Sequence, residues 1–549
     1  MSNASREKRF YRLFVIFSMS FAVLIILFFA YRMLFSRSST KKYSDPVISS
    51  TCQRGNILDR NGEIIATSIP YLMVIANPRQ IVEKESSALK LSQILGVPYE
   101  TVLSSLSVDS GYRVLKRKID SSQYDSLKSR LSDAGLLGPV YIQRYDGRFY
   151  PSGFHCAQII GFTDVDGNGI EGIEMAFDSI LKAYPTVGRE TSVGNDVYLT
   201  IDMQLQYLCD SVIQTMCEEH DPDYAVLILQ DARTGEILSS VSYPWYNPNN
   251  YNLSTEDSLQ NKAFAFMYEP GSVFKIFSLA ACLEAGTADF TTEYECTGSR
   301  TFVTDSRQSV TITCHEPHGV IDYEGMIAKS CNGAISNWAL QTSNEEFYNG
   351  LEDFHFSTEY DIPLFNASGS LSSPENWSYR SKSTISFGQE MMATPLQLAN
   401  AATVFTNQGI LLEPQLILKT VSQDGIISNQ AKRTELNQTV SAETASKVLL
   451  AMKKATEKGG TAIKTSVAGL EVAAKTGTAE ILNSDTGAVT ASTLAVFPAD
   501  DPMYIVYIAA SNPKGSTIWG ANIASPAIGN LIDDMVSAGK LKSLEYKLP

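Results

Sequence analysis

The chain of 549 residues has no C-x-x-C pair among its eight scattered cysteines, which excludes a thioredoxin-like redox motif and a tight zinc knuckle. It has no H-E-x-x-H either. His315-Glu316-Pro317-His318 falls one residue short, so a zinc metalloprotease of that type is excluded. Positive charge is in deficit: 44 basic against 59 acidic residues give a net charge of −15, the wrong sign for a nucleic-acid partner. No sequence repeat is evident. What is present is the composition of an ordinary folded protein, 44% hydrophobic and 19% charged, in a chain too long for one compact domain.

Long apolar runs are also scarce, and the single one is informative. Residues 13–31 are apolar apart from Ser18 and Ser20, and their 19 residues match the thickness of a bilayer core. The exit, Tyr31-Arg32-Met33-Leu34-Phe35-Ser36-Arg37, lacks the small residues of a cleavage site, so an uncleaved anchor is expected. Basic residues flank both ends (Arg6, Lys8, Arg9 and Arg12; Arg32, Arg37, Lys41 and Lys42), so charge alone does not orient it.

The expected organisation is α+β in three parts. Residues 1–45 are a short tail, a transmembrane helix and a linker; 46–200 form a separate α+β module; 201–549 form an antiparallel sheet covered by helices. In the module, Asn61-Gly62 between two apolar runs predicts a tight hairpin, and 86–95 and 121–134 read as amphipathic helices. Beyond it, Asp202 is placed to cap a helix over 203–216. Strands 225–230 and 236–242 flank Asp231-Ala232-Arg233-Thr234-Gly235, and strands 494–497 and 504–510 flank Ala499-Asp500-Asp501-Pro502. Ser525-Pro526 opens a last helix.

The chemistry centres on Glu269-Pro270-Gly271-Ser272-Val273-Phe274-Lys275. Pro270-Gly271 marks a turn and the residues after it favour a helix, with Ile276, Leu279, Ala280 and Leu283 on one buried face. Ser272 and Lys275, three apart, share a face. A serine needs a base to take its proton, and a lysine serves if burial lowers its pKa. S-x-x-K alone is common by chance. Here Ser330-Cys331-Asn332 follows 58 residues after Ser272, behind a helix over Tyr323 to Lys329, and Lys475-Thr476-Gly477-Thr478 follows 145 residues later on an apolar strand. S-x-x-K, S-x-N and K-T-G in that order form the triple of serine enzymes that react with β-lactams. The residue types suit acyl transfer. Ser272 and Lys275 supply nucleophile and base, Ser330 relays a proton to the leaving amine, and Asn332 holds a substrate amide. Lys475 adds positive charge, the Thr476 and Thr478 hydroxyls take a carboxylate, and Gly477 lets a substrate backbone lie close to the strand. The N–H groups of Ser272 and Thr478 would form an oxyanion hole.

With these motifs the chain resembles the class B penicillin-binding proteins, the membrane-anchored D,D-transpeptidases that cross-link peptidoglycan. Arg54-Gly55-Asn56-Ile57-Leu58-Asp59-Arg60 and residues 169–174 resemble the family's N-terminal pedestal motifs. Ser386-Phe387-Gly388-Gln389, Thr394-Pro395-Leu396-Gln397-Leu398-Ala399 and Gly459-Gly460-Thr461-Ala462 fit its pattern too. The resemblance implies a pedestal or dimerisation domain and a transpeptidase domain facing the cell wall, on the outer side of the cytoplasmic membrane. It implies an acyl-enzyme on Ser272 with stem peptides as substrates, covalent inhibition by β-lactams, no cofactor, and a polytopic membrane glycosyltransferase as partner. Ala474, where many relatives have glycine, and Val273, where threonine is common, are departures that remove no reacting group. Other readings are a D,D-carboxypeptidase or β-lactamase, and a non-catalytic scaffold or sensor of the wall-synthesis machinery; the large pedestal and lasting anchor argue against a free hydrolase.

Two groups stand outside the triple. Cys296, Cys314, His315, His318 and Cys331 gather between its first two motifs. Their spacing matches no compact zinc pattern, so no metal is expected and unpaired thiols stand ahead of a Cys296–Cys314 disulfide and of zinc on Cys296, Cys314, His318 and Cys331. Cys52, Cys156, Cys209 and Cys217 read as structural. Glu171 and Glu174 suggest a glycosidase pair, but are expected instead to contact arginines such as Arg54 or Arg60.

Overall fold

The computed structural model describes Met19, Val23 and residues 51–184, 191–289, 291–303, 307–481 and 487–542. Apart from Met19 and Val23, the anchor expected at 13–31 lies outside the described residues; among these no helix is long and apolar enough to cross a membrane.

Asp59 shapes the first hairpin. Its carboxylate accepts from the N–H groups of Asn61 (2.7 Å) and Glu63 (2.8 Å), and Gly62 supplies the positive φ of 90° that the turn requires. Strands Ile57–Leu58 and Ile64–Ala76 pair across it as expected. The long strand then pairs antiparallel with both Val140–Phe149 and Arg113–Asp120. Helices Lys84–Leu95, Tyr99–Ser107 and Tyr124–Asp133 cover this sheet. Their apolar faces meet Leu72, Val74 and Ala76 in a core of their own, with Ala88, Leu91, Val102, Leu106 and Leu131.

At the base of this module Glu174, fully buried, holds two arginines. Its carboxylate accepts from Arg54 Nε at 2.7 Å and from Arg148 Nε at 2.5 Å, and Arg54 also reaches Asp178 at 2.7 Å. This bears out the structural reading for Glu174 with Arg54. Arg60 instead pairs with Glu236, and the Glu171 side chain is exposed.

The module is less separate than the sequence suggests. Strand Asp196–Leu199 pairs parallel with Ile57–Leu58 and antiparallel with Ile417–Val421, so one seven-stranded sheet runs from the module into the second half of the chain. Asp59 also accepts from the N–H of Met203 (3.1 Å), tying the hairpin to the first turn of the next helix. A single apolar core, from Ile57 to Leu541, spans both parts.

The second half is built on a five-stranded antiparallel sheet in the order Ala473–Glu480, Val489–Phe497, Tyr504–Ser511, Tyr224–Asp231, Ile237–Tyr243. The antiparallel sheet with strands from both ends of the region is as expected, and its first and last strands in sequence sit side by side. Helix Met203–His220, capped by Asp202 through the N–H groups of Gln204 and Leu205, and helix Ala524–Ser537 pack on each other and on the sheet. Helix Pro395–Ala401 starts on a Thr394–Gln397 capping box and packs on the central strands. Strand Ala473–Glu480 is the sheet's edge, which leaves one side of its backbone for the site.

Candidate active site

Ser272 lies not in the first turn of an α-helix but in a 3-10 turn, Gly271–Phe274, that leads into the helix Lys275–Glu284. Residues three apart eclipse in a 3-10 turn, which stacks the Lys275 side chain on Ser272. The helix is buried on nearly every side rather than on one face: Ile276, Phe277, Ser278, Leu279, Ala280 and Cys282 are inaccessible, while Leu283 is only partly buried. Phe274 and Phe277 anchor it against Phe354 and Phe356, with ring centroids 5.0–5.1 Å apart. Gly271 (φ 57°) donates to the carbonyl of Gly388 at 2.9 Å, and a Cβ on Gly388 (φ 84°) would sit 2.2 Å from the Gly271 oxygen. That contact explains the glycine of Ser386-Phe387-Gly388-Gln389.

The Lys275 ammonium nitrogen, fully buried, lies 2.9 Å from Ser272 Oγ, 2.7 Å from the Ser330 carbonyl, 3.1 Å from Ser330 Oγ and 2.6 Å from Asn332 Oδ1. Burial lowers its pKa from the usual lysine range to about 8, partly opposed by the nearby Cys331 and Cys314 sulfurs. Two of the four partners are carbonyl oxygens, which only accept. A neutral amine gives its two hydrogens to them and keeps its lone pair for the Ser272 hydroxyl.

Ser330 ends helix Tyr323–Lys329 in the left-handed region (φ 56°, ψ 44°), a strained conformation for a residue with a Cβ. This turn swings Cys331 into the N-cap of helix Asn332–Gln341 and brings Asn332 to Lys275. The Asn332 amide nitrogen donates to the Thr313 carbonyl at 3.0 Å, so its oxygen is the end that faces Lys275. Lys475, also fully buried, reaches the same hydroxyl from the other side, with Nζ 2.9 Å from Ser330 Oγ. Burial, and secondarily the charge of Lys275, pushes the Lys475 ammonium well below its ordinary pKa.

Thus Ser272, Lys275, Ser330, Asn332 and Lys475 converge. Thr476 donates to Thr461 Oγ1 (3.1 Å), and Thr478 Oγ1 accepts from the N–H of Gly520 (3.2 Å). For Gly477 the packing gives a different reason from the expected one. A Cβ there would lie 2.6 Å from Ser492 Oγ and 2.8 Å from Val273 Cγ2, so the protein's own strand and serine turn fill that space. A cleft of about 470 Å³ opens beside Asn332, lined by Val310, Thr311, Tyr379, Arg380, Phe387 and Gln389. Gly520, Tyr379 and Arg380 carry no sequence signal; only the fold brings them to the site.

The cysteine cluster also assembles. Cys296 Sγ is 3.7 Å from Cys314 Sγ and 3.4 Å from His318 Nδ1, and Cys314 Sγ is 3.6 Å from Cys331 Sγ. The thiols are free, so the Cys296–Cys314 disulfide is not formed. His315 stays outside, exposed, its ring 5.2 Å from that of Trp519.

Known proteins match this arrangement along most of the chain. The family model for the penicillin binding protein transpeptidase domain matches residues 225–533, and that for the penicillin-binding protein dimerisation domain matches 49–187. Stage V sporulation protein D of Bacillus subtilis is 27% identical over 519 residues, covering 88% of this chain and 78% of that protein. Peptidoglycan D,D-transpeptidase FtsI of Buchnera aphidicola is 27% identical over 525 residues, covering 90% and 89%. Among solved structures, penicillin-binding protein 3 of Mycobacterium tuberculosis in complex with aztreonam superposes with a TM-score of 0.70 at 22% identity, covering 90% of this chain and 98% of that one. Penicillin-binding protein 2X of Streptococcus thermophilus gives 0.71 at 22%, covering 89% and 80%. A buried Lys275 that joins Ser272 to the Ser330 and Asn332 of the second motif, with a transpeptidase-domain model matching more than half the chain, leads to one assignment: this chain belongs to the penicillin-binding protein transpeptidase family.

Proposed function

We propose that the protein is a peptidoglycan D,D-transpeptidase that works through an acyl-enzyme on Ser272. The observation that carries this reading is the 2.9 Å contact between a buried Lys275 and Ser272 Oγ. Ser272 Oγ attacks the carbonyl of the penultimate D-alanine of a stem peptide as Lys275 takes its proton. The proton passes through Ser330 to the amine of the terminal D-alanine, which leaves. An amine of a neighbouring stem peptide then attacks the ester, its proton returns by the same groups, and Ser272 is released with a new peptide bond formed.

Asn332 orients Lys275 and a substrate amide; Lys475 holds Ser330 and supports negative charge. Thr476 and Thr478 receive the substrate carboxylate, Gly477 keeps the edge strand close to the serine turn, and the N–H groups of Ser272 and Thr478 stabilise the oxyanion. Residues 1–45 supply the tail, membrane anchor and linker, 46–200 the pedestal, and 201–549 the transpeptidase domain. The catalytic part lies on the outer face of the cytoplasmic membrane, beside a polytopic glycosyltransferase that polymerises the glycan; the apolar run at 13–31 supports the anchor.

The test is covalent labelling by a fluorescent penicillin of the purified protein and of Ser272→Ala. Label on the first and none on the second is expected. A wild type that stays dark where a control enzyme labels would overturn the reading in favour of a scaffold.

A further inference from the structure

We infer that Cys296, Cys314, His318 and Cys331 form a structural zinc site that braces the Ser330-Cys331-Asn332 motif. Four separate segments deliver the ligands. Cys296 ends strand Tyr294–Cys296, which pairs with Gly319–Ile321 and so brings His318 alongside. Cys314 follows the hairpin Ser299–Val303/Ser309–Thr313, and Cys331 is the N-cap of Asn332–Gln341. The hairpin closes the chain between Cys296 and Cys314, which is why the linear spacing matches no compact zinc pattern.

The separations fit a metal. Zinc–sulfur bonds of about 2.3 Å and zinc–nitrogen bonds of about 2.1 Å place tetrahedral ligand atoms about 3.6–3.8 Å apart. The observed contacts are 3.7, 3.6 and 3.4 Å, and all four ligand atoms lie within 4.8 Å of one another. Three thiols with one imidazole are a soft donor set that suits zinc and not magnesium or calcium. Four protein ligands leave no position for a reacting water, so the site is structural. The sulfurs are also supported: the N–H of Gly333 donates to Cys314 Sγ and that of Ala334 to Cys331 Sγ, each at 3.4 Å. A disulfide uses the cluster poorly. Cys314 touches both other sulfurs, so either bond strands the third thiol and the imidazole, whereas one metal satisfies all four.

The consequence falls on the neighbours of Cys331. Ser330 holds a left-handed backbone that a free loop would relax, and Asn332 must keep its oxygen 2.6 Å from Lys275. A metal bond to the residue between them fixes both. The cluster residues are therefore positioning residues; this bracing role rests on the proposed function, while metal binding does not.

The experiment measures metal in the full-length protein purified under reducing conditions from zinc-supplemented cells, by elemental mass spectrometry. About one zinc per chain is expected, falling to near zero in Cys296→Ser and in His318→Ala but not in Cys52→Ser, whose thiol lies outside the cluster. Replacing zinc with cobalt(II) in the wild type should give the visible bands of tetrahedral cobalt–thiolate, a readout independent of whether variants fold. A metal-free wild type, a cobalt complex without thiolate bands, or a Cys296–Cys314 bond in the mass of the intact protein would overturn the site. Penicillin labelling in the same samples separates the two readings: label without zinc sinks only the metal, and zinc without label sinks only the transpeptidase. For the bracing role, His318→Ala should slow acylation at least tenfold while the final labelled fraction stays unchanged; an unchanged rate would overturn it.

Discussion

Lys475 donates to the hydroxyl of Ser330 across 2.9 Å, and Lys275 stands 3.1 Å from the same oxygen, so Ser330 is held between two buried amines. Neither amine is at its ordinary pKa, since burial disfavours both charges and the charge of Lys275 lowers Lys475 further. A hydroxyl in that position can take a proton from one nitrogen and pass on its own.

Ser330→Ala should therefore slow acylation while leaving the nucleophile intact. The expected loss is about 10²–10⁴-fold in the second-order rate, the range for removing one general acid–base group. Fluorescent penicillin should still reach one label per chain given time. A variant that acylates at the wild-type rate would remove Ser330 from the proton path.

The acylation rate should rise with pH through about 8, where Lys275 loses its proton. The sign follows from burial: the folded pKa is depressed, the charged form dominates below it, and only the neutral amine can act as base. The logarithm of the rate should climb with unit slope below that value and level above it. Lys275→Arg, which keeps a charge at every accessible pH, should give no label; a flat profile in the wild type would contradict the assignment of the base.

Gly388→Ala should destabilise the protein by about 1–3 kcal/mol, because the new Cβ would lie 2.2 Å from the Gly271 oxygen at a φ of 84°. Relief requires moving Gly271, and Ser272 moves with it. Melting temperature and labelling rate should fall together.

Glu174→Ala should cost about 3–5 kcal/mol by leaving Arg148 buried beside no carboxylate and Arg54 with Asp178 alone. Calorimetry should show a large drop in melting temperature, with Arg60→Ala, whose partner Glu236 is nearer solvent, showing far less.

Much of this was legible in the sequence because its signals are local. Asn61-Gly62 gives its hairpin, Asp202 its helix start, and the triple gives five residues that meet in space. The helix start at Met203 is right but the helix runs on to His220, since no residue before Asp221 stops it. What stayed hidden depends on distant pairing. The strand partnership of Asp196–Leu199 with Ile417–Val421 has no local marker. The cysteines and histidines gather in the sequence, but a hairpin between Cys296 and Cys314 leaves their spacing unlike any compact zinc pattern. Gly477 was assigned to substrate clearance, whereas Ser492 and Val273 already occupy the space.

The sheet that crosses from Ile57–Leu58 through Asp196–Leu199 to Ile417–Val421 also governs how the chain can be divided. Cutting at residue 200 would strip Ile417–Val421 of its neighbour and leave a raw row of backbone donors and acceptors, a template for intermolecular pairing. A catalytic fragment made that way should precipitate or self-associate, while a fragment beginning at Cys52 keeps the strand paired. Heating the intact protein should melt the pedestal and the catalytic half in one transition, because the seven-stranded sheet and a common apolar core couple them.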